Sequence, residues 1–163
     1  MKAQLFIKIK IFMLGLCILS INFIQAQVSL PSIFSDQMVL QQKSEVPIWG
    51  WGNASETIKV IGSWSPQDTI KVVAASDGNW KTTLKTAEAG GPFTIHIIGS
   101  SDILLQQIML GEVWLCSGQS NMEWQANQGL VNQKVEIQSA NYPDIRIIKV
   151  GKRGSDYPQN NCE

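Results

Sequence analysis

Residues 111–124, Gly111-Glu112-Val113-Trp114-Leu115-Cys116-Ser117-Gly118-Gln119-Ser120-Asn121-Met122-Glu123-Trp124, divide the chain into two differently patterned parts. A compact apolar run, Glu112 to Cys116, stops abruptly in Ser-Gly-Gln-Ser-Asn, a string of turn-forming residues. Beyond it, Leu130 to Ala140 carries Val131 and Val135 one turn apart, and Asn141 and Pro143 close it, which predicts a helix. Ile145 to Val150 reads Ile-Arg-Ile-Ile-Lys-Val, a β-branched strand. Strand, helix, strand is one βαβ unit, the building block of parallel sheets covered by helices. A single unit leaves its strands without neighbours and its helix without a second layer. Residues 111–163 are therefore expected to be the start of an α/β domain, incomplete in this chain and poorly folded alone.

Upstream the pattern is different. Met38-Val39-Leu40, Val46 to Trp51, Thr57 to Trp64, Thr69 to Ala75, Trp80 to Leu84 and Phe93 to Ile98 are short runs rich in Ile, Val, Thr and Trp. Asp77-Gly78 and Gly90-Gly91-Pro92 punctuate them, the first being a strong turn signal. Strands this short, spaced by turn residues, predict an antiparallel β-sandwich or jelly roll over residues 27–110. The fold class expected is thus an α+β chain in two parts, a β-sandwich-like domain followed by the first βαβ unit of an α/β domain.

The chain has 163 residues, 44% of them apolar and 16% charged, which is globular rather than disordered composition. Lys and Arg number 13, as do Asp and Glu. Without clustered positive charge to displace counterions, a nucleic-acid partner is not expected. The first segment differs from the rest. Lys2, Lys8 and Lys10 precede an uncharged run from Ile11 to Ile24, and Gln25-Ala26-Gln27 offers a small residue at a cleavage point. This is the layout of a secretory signal peptide over residues 1–26, and the run is short for a membrane span of about 20 apolar residues. Export to a periplasmic or extracellular space is expected, with no stable membrane span after cleavage. Of the cysteines, Cys116 and Cys162 survive cleavage. Cys116, inside an apolar strand, is expected as a buried free thiol. Two cysteines and the single histidine, His96, are too few for a structural zinc site of Cys and His. No phosphate-cradling glycine loop or Cys-x-x-Cys pair is present, so no cofactor is expected.

A serine at the carboxyl end of a parallel strand, entering a turn, is where α/β enzymes place a nucleophile. Gly118 permits the sharp turn, the turn exposes the Ser120 hydroxyl, and N–H groups after it are free to face an oxyanion. Ser120 or Asn121 capping the next helix is the alternative reading. The segment is not the Gly-x-Ser-x-Gly elbow, because Met122 stands at the second glycine position. His96 lies in the alternating run Phe93-Thr94-Ile95-His96-Ile97, where a histidine is more often a strand residue than a catalytic base.

The 111–124 segment resembles the first catalytic block of the sialate O-acetylesterase family, a branch of the SGNH hydrolases. Leu30-Pro31-Ser32-Ile33-Phe34-Ser35-Asp36-Gln37-Met38-Val39-Leu40-Gln41 is similar to that family's N-terminal signature. Val46 to Gly52, Asp77 to Trp80, Ala89 to Phe93 and Asn141 to Arg146 also resemble family blocks, in the same order. The resemblance implies hydrolysis of O-acetyl esters on sugars, chiefly sialic acids, with Ser120 as nucleophile and its N–H as part of the oxyanion hole. It implies an SGNH-type, flavodoxin-like sheet for the α/β part. Gln119 and Asn121 either contact substrate or hold the turn. The family's later Gly, Asn and Asp-x-x-His blocks have no counterpart in these residues, so the chain alone is expected to lack esterase activity.

A plant-polysaccharide acetylesterase and a non-catalytic glycan-binding β-module are the competing readings. Trp49, Trp51, Trp64 and Trp80 are expected to fill the β core or its interface with the α/β part rather than stack on sugars, and Trp114 is expected in a buried strand. Trp124 follows the serine turn closely, and lining of the pocket is the less favoured of its readings. Glu112 and Glu123 straddle a turn and make a poor glycosidase pair.

Overall fold

The structure is a computed structural model that describes residues 27–162. The signal-peptide expectation, with Cys17 inside it, falls on residues 1–26 and lies outside the described residues. Within them are seven strands: β1 (Val39–Gln41), β2 (Glu45–Trp51), β3 (Thr57–Gly62), β4 (Ile70–Val73), β5 (Asn79–Lys85), β6 (Gly90–Ile98) and β7 (Asp102–Gly111). A four-residue 3₁₀ turn, Ser120–Glu123, and one helix, α1 (Gln133–Ser139), follow. No helix among the described residues is long and apolar enough to cross a membrane.

The chain is mostly β. Five strands form one sheet in the order β1-β7-β6-β3-β4, and β2 pairs with β5 in a second. Alternation explains the burial. Ile58 and Val60 on β3, and Ile95 and Ile97 on β6, are spaced two apart and fully buried, with charged or polar residues between them facing out. Ile48, Trp80 and Leu84 come from the two-stranded sheet and join them, with Leu105, Ile108 and Leu110 of β7, in one hydrophobic core. Each such aliphatic side chain contributes about 1.5–3 kcal/mol by leaving water.

Of the four tryptophans on the β-rich part, three lie in or against the core, and the half-buried Trp51 is not part of it. Trp80 is buried, and Trp49 and Trp64 pack against the core. Trp64 meets Phe93 edge-to-face at 5.6 Å and donates its indole N–H to the Lys85 carbonyl at 2.9 Å. Close approach makes Gly50 necessary. A Cβ there would strike the Ser29 carbonyl, which accepts the Trp51 N–H at 2.9 Å, and would lie 2.9 Å from the Trp80 ring. Gly78, with φ +82°, makes the turn that passes the chain from β4 to β5 and donates to the Ala75 carbonyl at 2.9 Å. Asp77 accepts the Asn79 N–H at 3.0 Å beside it.

The structure differs from the sequence reading at several points. The larger sheet is mixed, because β1 runs parallel to β7. Strand β6 begins at Gly90, through the Gly-Gly-Pro taken as a break. The longest strand, β7, has no clear alternation, because Gln106-Gln107 interrupts its apolar run. The register explains it: Ile95 faces Leu105 but Phe93 faces Ile108, so β7 carries an extra residue, a bulge, there. Finally, of the expected βαβ unit only the helix forms, at 133–139. Residues 112–116 and 145–150 have no ladder partner among the described residues, and an unpaired segment cannot satisfy its backbone as a strand. Trp114, expected in the core, is 83% exposed, and Cys116 is an exposed free thiol.

Glu56 ties two loops. Its carboxylate accepts the Asn53 N–H at 2.8 Å and the Asn53 side-chain amide at 3.0 Å, and also the Ser100 N–H. Burial pushes this carboxyl up, but the Asn53 and Ser100 bonds outweigh it and hold it below its usual 4.5. The folded value lies below the unfolded one. The stabilisation is therefore present above pH 4.5 and is lost as pH falls through the folded value. Denaturant titrations from about pH 6 to about pH 3 should show a smaller loss of stability in Glu56→Gln than in the natural chain. Gly50→Ala should cost about 1–3 kcal/mol in the same measurement at neutral pH; an unchanged midpoint would remove the close approach from the account.

Candidate active site

The chain leaves the sheet at Gly111, the last β7 residue, opposite Gln41 of β1. Main-chain pairing continues one step further, with the Gln42 N–H donating to the Gly111 carbonyl at 2.9 Å. After that, side chains take over. Gln41 and Gln42 donate their amides to the Glu112 carboxylate at 3.0 and 2.8 Å, and the Gln41 side-chain carbonyl accepts the Val113 N–H at 2.9 Å. These two bonds hold the Glu112 carboxyl below its usual range. Glu112 thus secures the exit from the sheet, which the sequence did not reveal. The signal was present as two glutamines at the end of a strand with a glutamate at the end of its neighbour.

Ser120 opens the 3₁₀ turn and is exposed. Gln119 is extended at φ −104°, and its carbonyl accepts the Met122 N–H at 2.9 Å. Asn121 accepts the Trp124 N–H at 3.4 Å through its carbonyl. Gln119 and Asn121 therefore hold the turn through their backbones, and neither side chain has a bond across it among the described residues. A Cβ on Gly118 would overlap the Met122 side chain, so this position is filled tightly without one. Among the described residues no side chain bonds the Ser120 hydroxyl.

The other candidates are engaged elsewhere. His96 lies on β6 with its Nε2 3.5 Å from Asp102 of β7, within the sheet. Glu123 pairs with Lys152 at 2.6 Å, and that bond and charge keep its carboxyl below the usual range. Glu112 and Glu123 are thus committed to different partners. Trp124 is exposed and donates its indole N–H to the Gln128 carbonyl. A shallow hollow lined by Asn53, Ser55, Glu56, Lys59, Gly99 and Ser100 lies on the β-rich part and does not include Ser120.

Two further contacts bring the C-terminal stretch back to the β-rich part. The Trp49 indole donates to the Asn160 carbonyl at 3.2 Å, and Ser32 bonds the Asn161 side chain at 2.8 Å through both its N–H and its hydroxyl. Arg146 reaches the carbonyls of Gln37, at 2.7 Å, and Gln107.

No protein-family model matches the chain. Sialate O-acetylesterase from Rattus norvegicus is 32% identical over 128 residues, 73% of this chain, and the Homo sapiens protein is 30% identical over 129 residues. The chain spans about a quarter of the length of these curated relatives, 24% in both cases. Among solved structures, a carbohydrate acetylesterase from Xanthomonas citri superposes with a TM-score of 0.74 at 31% identity, over 83% of this chain and 31% of that one. By sequence the chain is similar to the sialate O-acetylesterases, and by fold to a carbohydrate acetylesterase, in each case over a portion of their length.

Proposed function

We propose that this chain supplies the nucleophile-bearing part of an exported carbohydrate O-acetylesterase, acting most directly on acetylated sialic acids. The observation that carries the reading is the presentation of Ser120 at an exposed turn, in a segment that resembles the family's first catalytic block. Residues 27–110 are a sandwich-like β module in this reading, and residues 111–163 begin an SGNH-type α/β domain. Export rests on residues 1–26. The names of the relatives support sugar acetyl esters as the substrate class; acetylated plant polysaccharide remains within that class because the serine turn does not encode the sugar.

The chemistry needs a base. Ser120 Oγ forms a bond to the acetyl carbonyl carbon while its proton passes to that base, and the Ser120 N–H bonds the oxyanion. The bond to the sugar oxygen then breaks, the sugar oxygen takes the proton, and water cleaves the acyl-serine to acetate. The chain's single histidine is committed to Asp102 in the sheet. In this reading the nucleophile resides here and the family's later Asp-x-x-His block supplies its proton acceptor. No meaningful acetate release by these 163 residues alone is expected.

The test uses the chain alone and a chimera in which it replaces the matching segment of the rat relative. The chimera should release acetate from O-acetylated sialic acid, and Ser120→Ala should lower its kcat by about a thousandfold or more. A folded chimera whose activity survives Ser120→Ala overturns the assignment of the nucleophile. Ser120-dependent turnover by the chain alone overturns the absence of a base.

A further inference from the structure

We propose that the β-rich part carries a cup of main-chain carbonyls built for a guanidinium, and that Arg146 occupies it as the clasp holding residues 141–150 to the sheet. The inference stands apart from the esterase reading and does not use it. Its first observation is burial. Every other residue from 141 to 150 is exposed, including Ile147 at 89%, whereas Arg146 is half-buried. Isoleucines lie outside and a cation lies inside, which is the reverse of what hydrophobicity alone would produce.

The second observation is the construction of the cup. Its walls are the Gln37 and Gln107 carbonyls, with the Met38 carbonyl at 3.5 Å behind them. Gln37 and Gln107 both have left-handed backbones, φ +65° and +58°, a conformation unfavourable for a residue with a side chain. The bulge in β7 takes Gln106 and Gln107 out of the ladder with β6. Gln106 is then bonded instead by the turn before β1, its N–H to the Asp36 side chain at 2.8 Å and its carbonyl from the Gln37 N–H at 2.9 Å. Two unusual backbones thus meet, and their carbonyls converge on one point. Carbonyls crowded together repel unless a cation with several donors lies between them. The Arg146 Nη1 carries two hydrogens, which serve Gln37 and Gln107; the Met38 carbonyl already accepts the Met109 N–H at 3.1 Å. Among the described residues no carboxylate pairs with Arg146, so the carbonyls are its binding partners.

The third observation is placement. Residues 113–145 form a loop whose start is fastened by Gln41, Gln42 and Glu112, and Arg146 fastens its end to the same β1–β7 edge. Ser120 and α1 lie on that loop.

Amide hydrogen exchange on the whole chain tests the proposal. Arg146→Met should accelerate the Ile145 amide, and those of Gln37 and Gln106, by about tenfold, while Ile97 in the sheet is unchanged. Arg146→Ala with millimolar methylguanidinium should regain slow exchange at Gln37 and Gln106 but not at Ile145, because the free ion fills the cup without tethering the loop. Sodium at equal ionic strength should restore neither. If Arg146→Met does not fold, Arg146→Lys is measured instead, with about threefold acceleration at the same amides expected of an unforked cation. Exchange at Gln37 and Gln106 that equals the natural chain's in either variant overturns the clasp, and methylguanidinium without effect on those amides overturns the cup.

Discussion

Main-chain pairing along β7 is the constraint from which the rest of the structure follows. The strand is bonded to β6 along one edge and, over Met109–Gly111, to β1 on the other, and its apolar side chains Leu105, Ile108 and Leu110 are driven into the core. Pairing stops at Gly111. From there the chain has no ladder among the described residues, and side chains take over the bonding of the backbone. Gln41, Gln42, Glu112, Arg146, Lys152, Ser32 and Trp49 make the contacts that the sheet no longer makes. The contrast in burial between the two parts has this origin.

The aromatic residues show the same division. Trp80, Trp64 and Trp49 lie where two sheets share one core, and their rings fill volume that smaller side chains would leave empty. Phe34 meets Trp49 edge-to-face at 4.7 Å, and Trp49 still reaches out to the Asn160 carbonyl. Trp114 and Trp124 have no such surroundings and stand exposed at 83% and 65%. Residues of the same type therefore end in opposite environments, according to whether a sheet is present to cover them.

The same logic governs the candidate site. A hydroxyl on a tight turn is accessible without any pocket around it, and accessibility is the part of nucleophilic catalysis that local sequence can supply. Activation needs a base in contact, which is a matter of long-range packing. His96 illustrates the distinction: its position on β6 sets it beside Asp102 of the adjacent strand and commits it to the sheet.

Local signals in the sequence determined the short strands with two-residue periodicity, the Asp77-Gly78 turn, the helix near 133–139 and the exposed turn at Ser120, because each depends on residues within one turn or one strand of each other. The resemblance of the blocks around Ser120 and residues 30–41 to the sialate O-acetylesterase family was likewise legible in the sequence. Other features were decided by tertiary structure alone. The parallel pairing of β1 with β7, the Glu112 junction and the contact of Arg146 with Gln37 join residues 70 or more positions apart, and the bulge at Gln106-Gln107 is set by the register of β7 on β6. No periodicity encodes them, since a carbonyl's direction is set by the strand beside it. The runs at 112–116 and 145–150 read as strands for the same reason that they are not strands here: composition confers the propensity, but a ladder needs a partner.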